Sequence, residues 1–210
     1  MIEISKISNE KPFNIFKKFY LKALEKNQES IEAISISSLN KKTNEIESRY
    51  VNLKYVIDKK FIFFSNYKSL KADNFSSHNQ ISALFYWNKI DTQIRIKASI
   101  EKSSKEFSDK HYQMRSNKKN ALAHSSEQST KVKSYEEVQK NYDKLIISKE
   151  TLKNRPQFWG GYSFEPYYIE FWQGNTSRIN KRTVYELVDD KWSKYFLNPW
   201  IIICEIYQLV

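Results

Sequence analysis

Polar and apolar residues alternate most regularly over residues 92–101. Ile94, Ile96, Ala98 and Ile100 fall on one side, and Gln93, Arg95, Lys97, Ser99 and Glu101 on the other. A period of two predicts a half-buried antiparallel strand. Shorter strand-like runs occur around Ala33–Ser37 and at 49–57, 61–66, 81–87, 167–172, 183–188 and 191–196. In the 49–57 run Val51, Leu53, Tyr55 and Ile57 share a face with Arg49, while Asn52 and Lys54 lie opposite. Helical spacing appears at 12–27, where Phe13, Phe16, Tyr20 and Leu24 recur behind Pro12, a residue suited to a first helical turn. A short helix fits 70–76. Ser103 with Glu106, and Ser134 with Glu137, have the spacing of capping boxes. They predict one helix running to about Arg115 and another whose apolar stripe is Val138, Tyr142, Leu145 and Ile146.

Seven or more short strands with a few helices between them predict an α+β protein built on a closed or split antiparallel β-barrel. No repeat or glycine-rich boundary divides residues 1–210, which read as one domain. It has an N-terminal helical segment at 1–28 and an apolar extension at 200–210. The extension is costly to expose, so it is expected to pack as an added strand or into a subunit interface.

Composition narrows the chemistry. The single cysteine, Cys204, excludes an internal disulfide, and one Cys with three His gives no basis for a Cys–His metal cluster. The N-terminus has no apolar run of signal-peptide length, and no segment reaches membrane-span length, so a cytoplasmic protein is expected. The formal charge of +11 suits anionic partners. Lysines are spread along the chain instead of forming one tract, which favours a small anionic ligand over nucleic acid. Only three glycines are present, so a Rossmann or P-loop phosphate cradle is absent.

The candidate chemistry concentrates in EFWQGNTSRINKR, residues 170–182. A strand here runs into an indole, a carboxamide and a glycine (Trp172, Gln173, Gly174), with Arg178 and Arg182 close behind. Guanidinium groups bind planar anions bidentately, and indole offers a flat apolar face. Taken alone, this stretch also fits an edge hairpin with solvated arginines. Three other segments join it, RYVNLK at 49–54, FFSNYKSLKA at 63–72 and TQIRIKA at 92–98, and FWGGY at 158–162 precedes EFWQGNTSRINKR itself. In this order and spacing the chain resembles the pyridoxamine 5′-phosphate oxidase family of FMN-binding split barrels, from about residue 30 to Pro199.

The resemblance implies FMN held at a homodimer interface. It assigns Arg49 and Lys71 to the FMN phosphate, and Phe64, Ser65 and Gln93 to the phosphate, ribityl chain and ring. It assigns Gln128 and Ser129 to a contribution from the second subunit, and completes the flavin set with Trp172 and Arg182. On the substrate side, Lys54 and Arg115 would hold a phosphate, and Arg178 would lie over the reacting ring in the catalytic position. There the chain departs from the family pattern. His111 replaces a phosphate-binding tyrosine, Lys119 a serine, and Asn180 a histidine; Phe196 replaces a terminal arginine. Leu70 stands where a flavin-side arginine is usual, and Phe64 where tyrosine is. His111 and Arg115 are four residues apart, which would put them on one helical face, and with Lys54 and Lys119 they would form an anion pocket more basic than the family's own. The implied activity is FMN-dependent oxidation of pyridoxamine or pyridoxine 5′-phosphate at C4′, with dioxygen as acceptor, giving pyridoxal 5′-phosphate. The departures keep two alternatives open: another anionic ring substrate, as in phenazine-biosynthesis relatives, or flavin binding without catalysis.

Overall fold

The computed structural model describes residues 1–125, 128–148 and 150–199. Its centre is a sheet that closes on itself. Strands β2 (Ala33–Asn40), β3 (Glu45–Asp58), β4 (Lys60–Asn66), β5 (Gln80–Trp87), β6 (Thr92–Lys102) and β7 (Trp159–Gln173) form the ring β3-β2-β5-β6-β7-β4, with β4 pairing back onto β3. All six pairings are antiparallel. β1 (Glu3–Ile7) adds to β3 in parallel, and β8 (Lys181–Val188) and β9 (Lys191–Leu197) extend the sheet from β7. The N-terminal segment is therefore a strand followed by a helix, not helix alone.

Alternation decides which side chains fill the barrel. On β6, Ile94, Ile96, Ala98 and Ile100 are buried, meeting Ile34 and Ile36 of β2 and Phe85 of β5 in one core. α1 (Lys11–Glu25) turns Phe13, Phe16, Tyr20 and Ala23 inward, with Pro12 in its first turn. Phe16 meets Phe61 edge-on, with ring centroids 4.9 Å apart. The Tyr20 hydroxyl accepts from the Ile2 N–H and donates to the Ile2 carbonyl, both at 2.9 Å, which ties β1 to α1.

Three departures from the expected pattern have local causes. The 49–57 alternation breaks at Lys54, where two residues of β3 oppose one of β4 (Leu53 pairs with Phe63, Tyr55 with Ile62). A β-bulge re-aims side chains: here Leu53 and Val56 both enter the core, and Lys54 and Tyr55 both line a cavity that the consecutive residues Arg49–Asn52 also line. The cap of α3 (Lys105–Gln113) is Ser104, whose Oγ accepts from the Phe107 N–H, and not Ser103. Because α3 stops at Gln113, Arg115 follows the helix, and a further helix, α4 (Asn117–Ser125), begins two residues later. The Ser134 cap of α5 (Tyr135–Ile147) forms as expected, yet no residue of α5 is buried, so its apolar stripe makes no core. α2 (Leu70–Ser77) closes the set of helices. No helix among the described residues is long and apolar enough to cross a membrane. The 200–210 extension lies outside the described residues.

Phe16 sits fully buried at the contact between α1 and the barrel. Phe16→Ala should lower unfolding free energy by about 3–5 kcal/mol, measured as a shifted urea midpoint.

Candidate active site

One cavity of about 1010 Å³ opens among β3, β4, α2, the α3–α4 region and the start of β7. Two groups of cations line it. The first contains Arg49 and Lys71. Arg49 donates from Nη2 to Glu47 at 2.8 Å and from Nη1 to Ser38 Oγ at 2.7 Å; Asn74 of α2 donates to the same two oxygens. The guanidinium is thereby fixed, with part of its charge balanced. Lys71 is different. Its ammonium, on a buried side chain, donates to Ser69 Oγ and Gln128 Oε1, both at 3.1 Å, and among the described residues no carboxylate pairs with it. Burial, reinforced by nearby Arg49, pulls its pKa down to about 8. Ser65 Oγ joins the group through Gln128 at 3.5 Å.

The second group contains Lys54, Arg115 and Lys119 around His111. His111 stacks on Phe64 with ring centroids 3.7 Å apart, and its Nδ1 lies 2.8 Å from the Tyr55 hydroxyl. Burial, then the charges of Arg115, Lys54 and Lys119, lower its pKa to about 4, so the ring is neutral at physiological pH. The four side chains therefore supply three charges, not four. Arg115 lies over the Trp159 ring at 4.2 Å and donates from Nη2 to the Lys119 carbonyl; its buried Nη1 has no partner among the described residues. A buried, unpartnered guanidinium nitrogen suits an incoming anion. Phe64 and Ser65 are consecutive on β4 and reach one group each.

Six expected residues are not part of this cavity: Ser129, and five that lie together on or between β6, β7 and β8. Gln93 pairs with Trp172 across β6 and β7, and Trp172 with Arg182 across β7 and β8. Arg182 donates from Nε to Glu170 at 2.7 Å, and Arg95 donates to the other oxygen of that buried carboxylate at 2.9 Å. Arg178 and Asn180 lie in the β7–β8 loop, where Arg178 has a left-handed backbone and Asn180 Oδ1 accepts from the Asn175 N–H. Gly174 opens this loop against Asp91: a Cβ there would come within 1.6 Å of its carboxylate. These residues form a separate ledge.

Residues 21–147 match the family profile described as pyridoxamine 5′-phosphate oxidase. The chain belongs to that family. Residues 159–199 match a second profile, the pyridoxine 5′-phosphate oxidase C-terminal dimerisation region, which contains the ledge residues Trp172, Arg178, Asn180 and Arg182 but not Gln93. A pyridoxine/pyridoxamine 5′-phosphate oxidase of Colwellia psychrerythraea is 34% identical over 195 residues, covering 91% of this chain and 88% of its own length. One from Leptospira biflexa is 33% identical, covering 90% and 89%. Among solved structures, PhzG from Burkholderia lata, in complex with tetrahydrophenazine-1-carboxylic acid, superposes with a TM-score of 0.85 at 24% identity over 90% of this chain and 93% of its own. A pyridoxamine 5′-phosphate oxidase-related FMN-binding protein from Nostoc punctiforme gives 0.71 at 12% identity, covering 91% and 100%. The family is one of FMN-dependent oxidoreductases, and its split barrel is the fold seen here.

The cavity thus unites Arg49, Lys54, Phe64, Ser65, Lys71, His111, Arg115, Lys119 and Gln128, and leaves Gln93, Ser129, Trp172, Arg178, Asn180 and Arg182 outside it. Gln128, expected from the second subunit, contacts Lys71 and Ser65 of its own chain. Leu70 is half-exposed at the start of α2, and Phe196 is exposed on β9. Sequence reasoning missed Tyr55 and Trp159 as lining residues, and the Glu47, Ser38 and Asn74 bracket on Arg49. Trp159 stood beside the Gly160-Gly161 signal; it is positioned by Arg155, which donates to its carbonyl and pairs with Asp109 at 2.6 Å. Tyr55 was read as ordinary strand core, since only the bulge reveals it.

With three histidines in the chain, the imidazole of His111 can be followed individually by NMR. In the ligand-free protein its signals should not titrate between about pH 5.5 and 8, although an unperturbed histidine titrates near 6.5; a midpoint near 6.5 would contradict the electrostatics described.

Proposed function

We propose that this protein is an FMN-dependent oxidase of pyridoxamine or pyridoxine 5′-phosphate, working as a homodimer. The observation that carries the reading is the pair of cationic groups in one cavity, joined by Phe64 and Ser65. Two anions are needed to use both groups, and a flavin phosphate with a phosphorylated substrate provides them.

Arg49, Lys71, Ser65 and Gln128 fit the FMN phosphate: a braced guanidinium, a buried ammonium with no carboxylate partner among the described residues, a hydroxyl and a carboxamide. Lys54, Arg115, Lys119 and His111 would hold the substrate's phosphate. The chemistry that FMN supplies when bound is two-electron oxidation of the substrate C4′ carbon, with dioxygen as final acceptor. Gln93, Trp172 and Arg182 would reach the flavin from the second copy, and Arg178 and Asn180 would orient the substrate ring from the same loop. The reading is supported by the match of residues 159–199, which hold Trp172, Arg178, Asn180 and Arg182, to a dimerisation region. The protein's part is position and electrostatics: Arg178 orients the ring, the cations neutralise the anions, and Phe64 and Trp159 wall the cavity with apolar surface.

A second reading keeps the flavin and changes the substrate to an anionic ring bearing a carboxylate. His111, Lys119, Asn180 and Phe196 favour it as departures, and the ligand of the PhzG structure is such a compound.

Purified protein incubated with FMN should oxidise pyridoxine 5′-phosphate, followed by the absorbance of pyridoxal 5′-phosphate; flavin uptake without product at high enzyme concentration would favour the second reading. Lys71→Met removes a charge-assisted contact worth about 1.5–3 kcal/mol, so FMN affinity should fall roughly ten- to hundredfold in a fluorescence-quenching titration. The parent's FMN affinity should decline as pH rises through about 8, where free Lys71 loses its proton, by at most about tenfold per pH unit. The same titration in Lys71→Met should lack that decline.

A further inference from the structure

The proposed activity uses His111 only as one contact among several, yet its surroundings are unusual for a phosphate ligand. Three cations face it: Lys54 from the β3 bulge, Arg115 after α3 and Lys119 of α4. Phe64 of β4 lies flat on it, the Trp159 ring of β7 is parallel at 6.2 Å, and the Tyr55 ring of β3 meets it edge-on at 5.4 Å. The carboxylates of this neighbourhood act at one remove: Glu32 on Lys54, and Glu3 on Tyr55. Tyr55 occupies one imidazole nitrogen, Nδ1, which leaves Nε2 as the nitrogen for a ligand.

We propose that Tyr55 and His111 act as a proton-loaded anion receptor: His111 binds a dianionic substrate group as an imidazolium donating from Nε2, while Tyr55 accepts from Nδ1–H and holds the ring in place. This deepens the functional reading above and rests on it for the identity of the substrate. The proton comes from solvent. With the cavity empty, three cations oppose a fourth charge, and His111 stays neutral. A dianion seated among Lys54, Arg115 and Lys119 reverses the local field, and an opposite charge at contact raises a neighbouring pKa by about one to three units. Neutral imidazole can offer a single N–H donor, and Tyr55 can claim the other nitrogen in either tautomer. Imidazolium has donors on both nitrogens, so its bond to Tyr55 and its bond to the ligand form together. The hydroxyl at position 55 thus makes Tyr55 a positioning residue, and its ring packs on Phe64 and Phe107 independently of that role. The sign follows: in the range between the free and liganded His111 midpoints, dianion binding takes up a proton and tightens as pH falls. A monocarboxylate, with half the charge, would raise the midpoint less.

The test uses FMN-saturated protein with labelled histidine, and inorganic sulfate, a dianion throughout the titrated range, then acetate as probes. Sulfate should raise the His111 midpoint from about 4 to between about 5 and 7, and acetate should move it less. Tyr55→Phe, which keeps the ring packing, should bind sulfate severalfold more weakly and show a smaller rise. His111→Gln keeps a neutral donor and should lose the preference for sulfate over acetate. If the His111 midpoint is the same with and without saturating sulfate, or if Tyr55→Phe shows the full rise, the proposal is overturned. If no flavin is taken up, the functional reading fails separately; the titration is then run on flavin-free protein carrying Arg49→Gln with Lys71→Met, which leaves the probe only the His111 group, with the same two outcomes deciding.

Discussion

The pairing of β4 with both β3 and β7 is the constraint on which this molecule depends. It closes six antiparallel strands into a ring, so that the backbone groups of β4 are satisfied on both edges. Seven residues then serve two purposes. Phe61 and Phe63 point into the barrel and meet Phe13, Phe16, Phe75 and Phe164. Phe64 and Ser65 lie at the cavity, beside the imidazole and the buried ammonium. The β3 bulge at Lys54 belongs to the same pairing, and it turns a lysine and a tyrosine toward the ligand side.

Electrostatics follow from that geometry. Cations gathered on a rigid wall with few acids raise one another's cost. Burial first, and that repulsion second, lower the pKa of the softest groups, a lysine to about 8 and a histidine to about 4. Where an acid is present, as at Arg49 with Glu47 or Arg182 with Glu170, it fixes the direction of a guanidinium. The site therefore holds both braced cations and cations awaiting a counter-charge. The second kind marks where anions belong.

Much of the fold was legible in the chain. The alternation on β6 and the helical spacing of Phe13, Phe16 and Tyr20 became buried faces, and the motif series located most lining residues. What was not legible depended on tertiary geometry. Strand parity separated Arg49 from Lys54, yet β3 lines the cavity with residues of both parities, and no local signal announces the bulge that adds Tyr55. The Ser103–Glu106 pattern was off by one residue, since Ser104 provides the cap. A helix expected to reach Arg115 stops at Gln113, yet His111 and Arg115 still meet because the chain turns there into α4. Gln128 was assigned across an interface, although its own Lys71 is within hydrogen-bond reach. Gln93 was grouped with Phe64 and Ser65 by motif, yet within one chain it pairs with Trp172, and Trp172 with Arg182, on a ledge apart from the cavity.

In the function proposed above, cavity and ledge, separate in one chain, become one flavin site across two chains. Mixed dimers test it directly. One variant carries Arg49→Gln with Lys71→Met, the other Trp172→Ala with Arg182→Gln, and FMN binding is measured for each alone and after co-expression. A shared site predicts that neither variant binds flavin alone and that the mixture recovers about a quarter of the parent's sites, because half the dimers are mixed and each of those has one intact site. A mixture as flavin-free as its separate components would contradict it.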